Sequence, residues 1–171
     1  MSDFAHRLPF DQIRDGDRID ISAGERERAS VAERLGLLSL DRLEAHAMLK
    51  RDGQKITASG RLKAALEQAC VATGDACPAH VDESFALAFL PEPRTGSDEE
   101  IELGASDLDT VFHDGSAIDL GGAIIDTLAL ALDPYPRSAG ADAALKEAGV
   151  LTEEEASPFA ALAALKEKLG K

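Results

Sequence analysis

Between residues 43 and 89 apolar and polar residues alternate for long stretches, and this is the strongest structural signal in the chain. Leu43, Ala45, Ala47 and Leu49 alternate with Glu44, His46, Met48 and Lys50, the period of a strand with one buried face. Arg51-Asp52-Gly53-Gln54 follows as a turn, with Asp-Gly its strongest signal. Ile56, Ala58, Gly60, Leu62, Ala64 and Leu66 then alternate with Thr57, Ser59, Arg61, Lys63 and Glu67. After a break at Thr73-Gly74-Asp75 the alternation resumes through Cys77, Ala79, Val81, Phe85, Leu87 and Phe89. Two long strands of one antiparallel hairpin are predicted. The core set is even-numbered before the break and odd-numbered after it, so paired residue numbers must sum to an odd number. An even-length connection satisfies this. A two-residue turn at Gly74-Asp75, pairing Ala72 with Cys77, or at Thr73-Gly74, setting Cys70 opposite Cys77, would do so.

The flanking pattern is mixed. Residues 4–10 and 18–22 read as short strands around the loop Asp15-Gly16-Asp17. From Gly24 to Leu35 the spacing is helical, with Ala29, Ala32 and Leu35 on one side and Gly36 placed to end the helix. Pro91 to Asp98 reads as a loop, and Glu100–Leu103 and Asp109–Phe112 as short strands. Asp119 to Leu132 is a second helix, with Ile124, Ile125, Leu128 and Leu132 on one side, two glycines weakening its first turn and Asp133-Pro134-Tyr135-Pro136 ending it. Ser157-Pro158 opens a last helix, Phe159 to Leu169.

These elements predict an α+β fold: a mainly antiparallel sheet with a long central hairpin, two helices packed on it, and a C-terminal helix after an acidic linker. The expected organisation is a single α+β core over 1–137, an acidic flexible linker over 138–156 with room for a helical turn, and an amphipathic helix over 157–171. Aromatics make up only 4% of the 171 residues and Trp is absent, so few rings are available for stacking on unpaired bases.

Charge changes the picture along the chain. Residues 1–63 hold 12 Lys+Arg against 11 Asp+Glu, and residues 64–171 hold 6 against 21. The total is −14, and the acidic second half suggests a face or partner of its own, or simply a soluble surface. No secretory signal pattern opens the chain, and Ala117–Leu132 is too short and too charged to span a bilayer, so the protein is expected in the cytoplasm, away from membranes.

Candidate chemistry is sparse. Cys70 and Cys77, with His80 nearby, lack the second closely spaced pair of a structural zinc site, so no metal is expected and both thiols should stay reduced. Asp15-Gly16-Asp17 fails as a calcium loop, because Asp20 stands where Gly is needed and Arg26 where the last acid is needed. No nucleophile motif, phosphate loop or His cluster appears, so neither catalysis, a cofactor nor a small-molecule substrate is expected. What remains is basic. Arg42, Lys50, Arg51, Lys55, Arg61 and Lys63 fall on two consecutive strands and their turn, where an outward face could meet phosphates. Glu44, Asp52 and Glu67 lie among them, so a salt-bridged face explains the same residues.

Four stretches, in order, carry a resemblance: Glu33-Arg34-Leu35-Gly36-Leu37 with Asp41-Arg42-Leu43; Gly60-Arg61-Leu62 through Glu67-Gln68-Ala69-Cys70-Val71-Ala72-Thr73; Ile118-Asp119-Leu120-Gly121 through Leu132-Asp133-Pro134-Tyr135-Pro136-Arg137; and Ser157-Pro158-Phe159-Ala160 through Leu165-Lys166. Together they resemble the YceD family of large ribosomal RNA subunit accumulation proteins, in its alphaproteobacterial form. Three departures stand out. Many relatives carry a Cys-x-x-Cys pair where this chain has Cys70 and Thr73, the turn Gly74–Cys77 is less apolar, and Gly122 replaces a common acid. The resemblance implies a non-enzymatic role in ribosome biogenesis, supporting accumulation or processing of large-subunit (23S) ribosomal RNA. The implied partner is that RNA or a pre-ribosomal particle. The alternative is an acidic module that holds a basic ribosomal protein before assembly. Candidate partner-docking residues are Tyr135, Arg137 and the stripe Phe159, Leu162, Leu165 and Leu169.

Overall fold

The structure is a computed structural model that describes residues 4–92 and 109–150. Its described chain is α+β and falls into two compact units, residues 1–68 with 78–134, and residues 69–77 with the chain from 135 onward.

The first unit is built on a five-stranded sheet in the order β2-β3-β4-β5-β6. Its strands are β2 (Arg18–Ser22), β3 (Ser39–Asp52), β4 (Lys55–Ala69), β5 (Ala76–Pro91) and β6 (Asp109–His113). β2, β3 and β4 pair antiparallel, and β6 lies parallel to β5, with Leu87 opposite Asp109. The sheet is mainly antiparallel, as expected, and its parallel edge was not foreseeable, since alternation inside a strand says nothing about the direction of its neighbour. β1 (Arg7–Pro9) makes a separate two-stranded ribbon with β7 (Ala117–Asp119).

The predicted faces are those observed. Leu43, Ala45, Ala47 and Leu49 of β3 are buried, as are Ile56, Ala58, Leu62, Ala64 and Leu66 of β4, and Val81, Phe85, Leu87 and Phe89 of β5. A bulge between Leu40 and Arg42 lets both Leu40 and Leu43, three residues apart, face inward. Helix α1 (Glu25–Leu35) packs against β3. Glu27 accepts the Gly24 N–H at 2.7 Å, and Gly36 closes the helix at φ +65°. Helix α2 (Leu120–Ala131) sends Leu120, Ile124, Ile125 and Leu128 into the same core. Each such side chain contributes about 1.5–3 kcal/mol by leaving water. Asp119 caps α2 by accepting the Gly122 N–H at 2.9 Å. Gly121 is needed there, because a Cβ would meet the Phe4 carbonyl oxygen at 2.1 Å.

In the second unit the hairpin connection runs from 70 to 75, six residues rather than two. The even length satisfies the parity requirement, but the tight turns expected at Gly74-Asp75 or Thr73-Gly74 do not form. The Gly74 N–H donates to the Cys70 carbonyl at 2.8 Å, so 70–74 curls as one helical turn, closed by Gly74 at φ +77°. The Cys70 N–H then donates to the Asp75 carbonyl at 2.8 Å, which sets Cys70 across from Asp75 instead of Cys77. Helix α3 (Ala141–Glu147) lies within the stretch read as linker. The strand expected at Glu100–Leu103 and the helix expected at Phe159–Leu169 lie outside the described residues.

Candidate nucleic-acid interface

The face of β2, β3 and β4 turned away from the core is a grid whose rows follow from the pairing. Arg18 stands opposite Met48 and Asp20 opposite His46. Glu44 stands opposite Lys63, His46 opposite Arg61, Lys50 opposite Thr57, and Asp52 opposite Lys55. Arg18, Asp20, Arg42, His46, Met48, Lys50, Lys55, Arg61 and Lys63 are all exposed, as this phase requires. The strand period places the face; the close approach of β3 and β4 at its centre depends on Gly60. A Cβ there would lie 1.7 Å from the His46 carbonyl oxygen.

Five of the six basic residues singled out in the sequence share this face. The sixth, Arg51, does not. It pairs with buried Ile56, and its guanidinium donates to the carbonyls of Phe10 at 2.9 Å and Ile13 at 3.0 Å. The same group sits 4.4 Å from the centre of the Phe10 ring, whose other neighbour is His113. His113 is buried and fully bonded: Gly115 N–H donates to Nδ1, so the proton sits on Nε2 and is donated to the Gln54 carbonyl. This stack holds the N-terminal segment against the sheet and offers nothing to a partner.

The five outward cations are not equivalent. Arg61 is ion-paired with Asp82 of β5. The shared hydrogen bond raises the Arg61 pKa and lowers that of Asp82, with Lys63 adding to the pull on Asp82. Arg42 pairs with Glu44 at 2.9 Å. Lys63 therefore has Glu44 opposite it and Asp82 within electrostatic reach. His46 is bonded to Asp20, completing a row Asp20–His46–Arg61–Asp82 in which each basic side chain is held by a carboxylate of a neighbouring strand. Exposed pairs of this kind add only about 0–1 kcal/mol each to stability, but they still remove a charge from the surface's field. Lys50, Lys55 and Lys63 have no ion-pair partner among the described residues, nor has Arg18, a residue the sequence reading did not single out. Its phase was readable in Arg18-Ile19-Asp20-Ile21-Ser22; its place beside β3 was not.

The remaining candidates stand in the second unit. Tyr135 is 73% exposed, and Arg137 is paired with Asp142 at 3.3 Å. Phe159, Leu162, Leu165 and Leu169 lie outside the described residues. Neither cysteine forms a disulfide, and no group of three or more His, Cys, Asp or Glu side chains among the described residues is placed to hold a metal ion. No helix among the described residues is long and apolar enough to cross a membrane.

A family model for the large ribosomal RNA subunit accumulation protein YceD matches residues 58–166, well over half of the chain. The chain belongs to the YceD family. The family's name ties it to accumulation of large-subunit ribosomal RNA. The YceD match takes in Arg61, Lys63, Cys70 and the Leu132–Arg137 segment, and begins after Arg42, Lys50, Arg51 and Lys55. Neither the curated proteins nor the solved structures gave a match.

Proposed function

We propose that this protein is a non-enzymatic assembly factor, working in the cytoplasm, that supports accumulation or processing of 23S ribosomal RNA by binding the RNA or its precursor particle. Family membership carries the reading. The outer face of the sheet supports the mode of contact: it is exposed from β2 to β4 and carries lysines without ion-pair partners among the described residues. Such a face follows a phosphate backbone by position and charge and reads little sequence, in keeping with a chain that has few aromatic rings. The test is sedimentation of the tagged full-length protein through a sucrose gradient. Co-migration with large-subunit precursors, and a fall in large-subunit RNA when the protein is depleted, are the expected results. Confinement to the top of the gradient with unchanged RNA would refute the reading.

A second reading has its own observation. Residues 64–171 hold 21 acidic against 6 basic residues, which suits an acidic module holding a basic ribosomal protein before assembly. Crosslinking within the precursor fractions separates the two, by whether RNA or a basic protein is captured.

A further inference from the structure

Resting on the RNA-contact reading, we infer that the phosphate contact is made by Arg18, Lys50 and Lys55, and that the row Asp20–His46–Arg61–Asp82 is a divider on the same face, closed by its own ion pairs. The grid fixes the arrangement. Arg18 lies in the row of Met48, Lys50 is one outward step further along β3, and Lys55 is one outward step beyond Thr57, the partner of Lys50. The three cations therefore descend diagonally across β2, β3 and β4, with successive Cα positions about 8 Å apart by ordinary strand spacing. Long flexible side chains on such a diagonal can reach neighbouring phosphates of one backbone.

Their surroundings separate them from the other basic residues. Arg42, Arg61 and His46 each have a carboxylate within ion-pair distance, and Lys63 faces Glu44 with Asp82 nearby. On the diagonal the acid in register is Asp52, opposite Lys55, with no ion pair formed. Three cations against Asp52 and Asp15, whose carboxylate accepts the Arg51 N–H at 3.1 Å, leave this end of the face positive, while the row through Arg61 sets two carboxylates against one guanidinium. Lys63 also forms no ion pair but has two acids beside it, so an anionic backbone approaching the face meets the larger excess of positive charge at the β3–β4 turn end. The partner that fits is duplex RNA, since the large apolar side chain set between the cations is Met48, 39% exposed, and no Phe or Tyr stands among them to stack on a base.

The test uses the full-length protein and a blunt RNA duplex of about 20 base pairs at low salt. Arg18→Gln, Lys50→Gln and Lys55→Gln together should weaken binding on the order of tenfold or more, because each removes a counterion-releasing contact. Arg61→Gln with Asp82→Asn, which deletes a pair without changing net charge, should leave affinity unchanged. Thermal unfolding of both variants monitors folding; should the triple variant not fold, Lys50→Gln and Lys55→Gln tested singly should each weaken binding about threefold. Equal binding by the triple variant and the parent would overturn the inference, and so would a loss on deleting the Arg61–Asp82 pair as large as that of the triple variant. A parent that co-migrates with precursors yet does not bind the duplex overturns the inference and leaves the assembly role standing. A parent that binds the duplex through these three residues yet never co-migrates supports the inference and removes the assembly role.

Discussion

Burial normally raises a thiol's pKa, yet Cys70, only 3% exposed, is pushed down to about 6. The Ser138 side chain is the largest cause, followed by the Ser138 N–H, which donates to Sγ at 3.3 Å, and by the Thr73 hydroxyl. Together they outweigh the desolvation that opposes them. The unfolded thiol titrates near 9, so folding favours the thiolate. The stabilisation is therefore complete above about pH 9 and is lost as pH falls through about 6. In a Cys77→Ser background under reducing conditions, the stability lost on Cys70→Ser should grow between pH 6 and pH 9, read from urea midpoints. A gap that stays constant across that window would show that Sγ is not held as a thiolate. Strand phase explains why Arg51 left the interface. It shares the odd-numbered phase of Ala47 and Leu49, so parity alone turned it inward; the Asp-Gly signal beside it drew attention to the turn instead.

At the scale of elements, what local period and punctuation decide was readable and what partner choice decides was not. Helix α1 ends where Gly36 adopts positive φ, and α2 begins behind Asp119, both as the residue pattern predicts. The buried phases of β3, β4 and β5 also match alternation. The parallel β5–β6 pair, the β1–β7 ribbon and the six-residue connection were not readable, because they depend on contacts between distant segments or on side chains such as Thr73 and Asp75 that bond within the loop at 2.6 Å. Gly60 belongs to this class: alternation makes it an ordinary core position, and only the register shows it against the His46 carbonyl. Backbone cannot yield as a flexible side chain can. Gly60→Ala should therefore cost about 2 kcal/mol or more, measured as a lowered urea midpoint at unchanged slope. An alanine variant as stable as the parent would mean that β3 and β4 can separate at this point without cost, and the grid of the outer face would lose its rigid centre.

At the scale of the whole molecule, a net charge of −14 sits beside a face proposed to meet RNA, and the two can be weighed by salt dependence. Each phosphate contact adds a slope of about −0.9 to the plot of log affinity against log salt, whatever the sequence bound. If all six basic residues singled out in the sequence took part, raising salt from about 50 to about 200 mM would weaken binding on the order of a thousandfold or more. The structure argues for fewer. Arg51 faces the other way, Arg42 and Arg61 are paired, and Lys63 lies between two acids, so Lys50 and Lys55 are left, and Arg18 of β2 joins them. Three contacts predict a slope of about −2.7 and a loss of about fortyfold over the same range. Titrating the full-length protein against the RNA duplex at four or five salt concentrations measures this directly. A slope near −4.5 would mean that the ion pairs open on binding and that Arg42 and Arg61 join the contact, about −0.9 for each of five contacts. A slope near zero would mean that phosphate neutralisation contributes nothing, and that association with the precursor particle runs through the acidic residues beyond Lys63 and a basic protein partner.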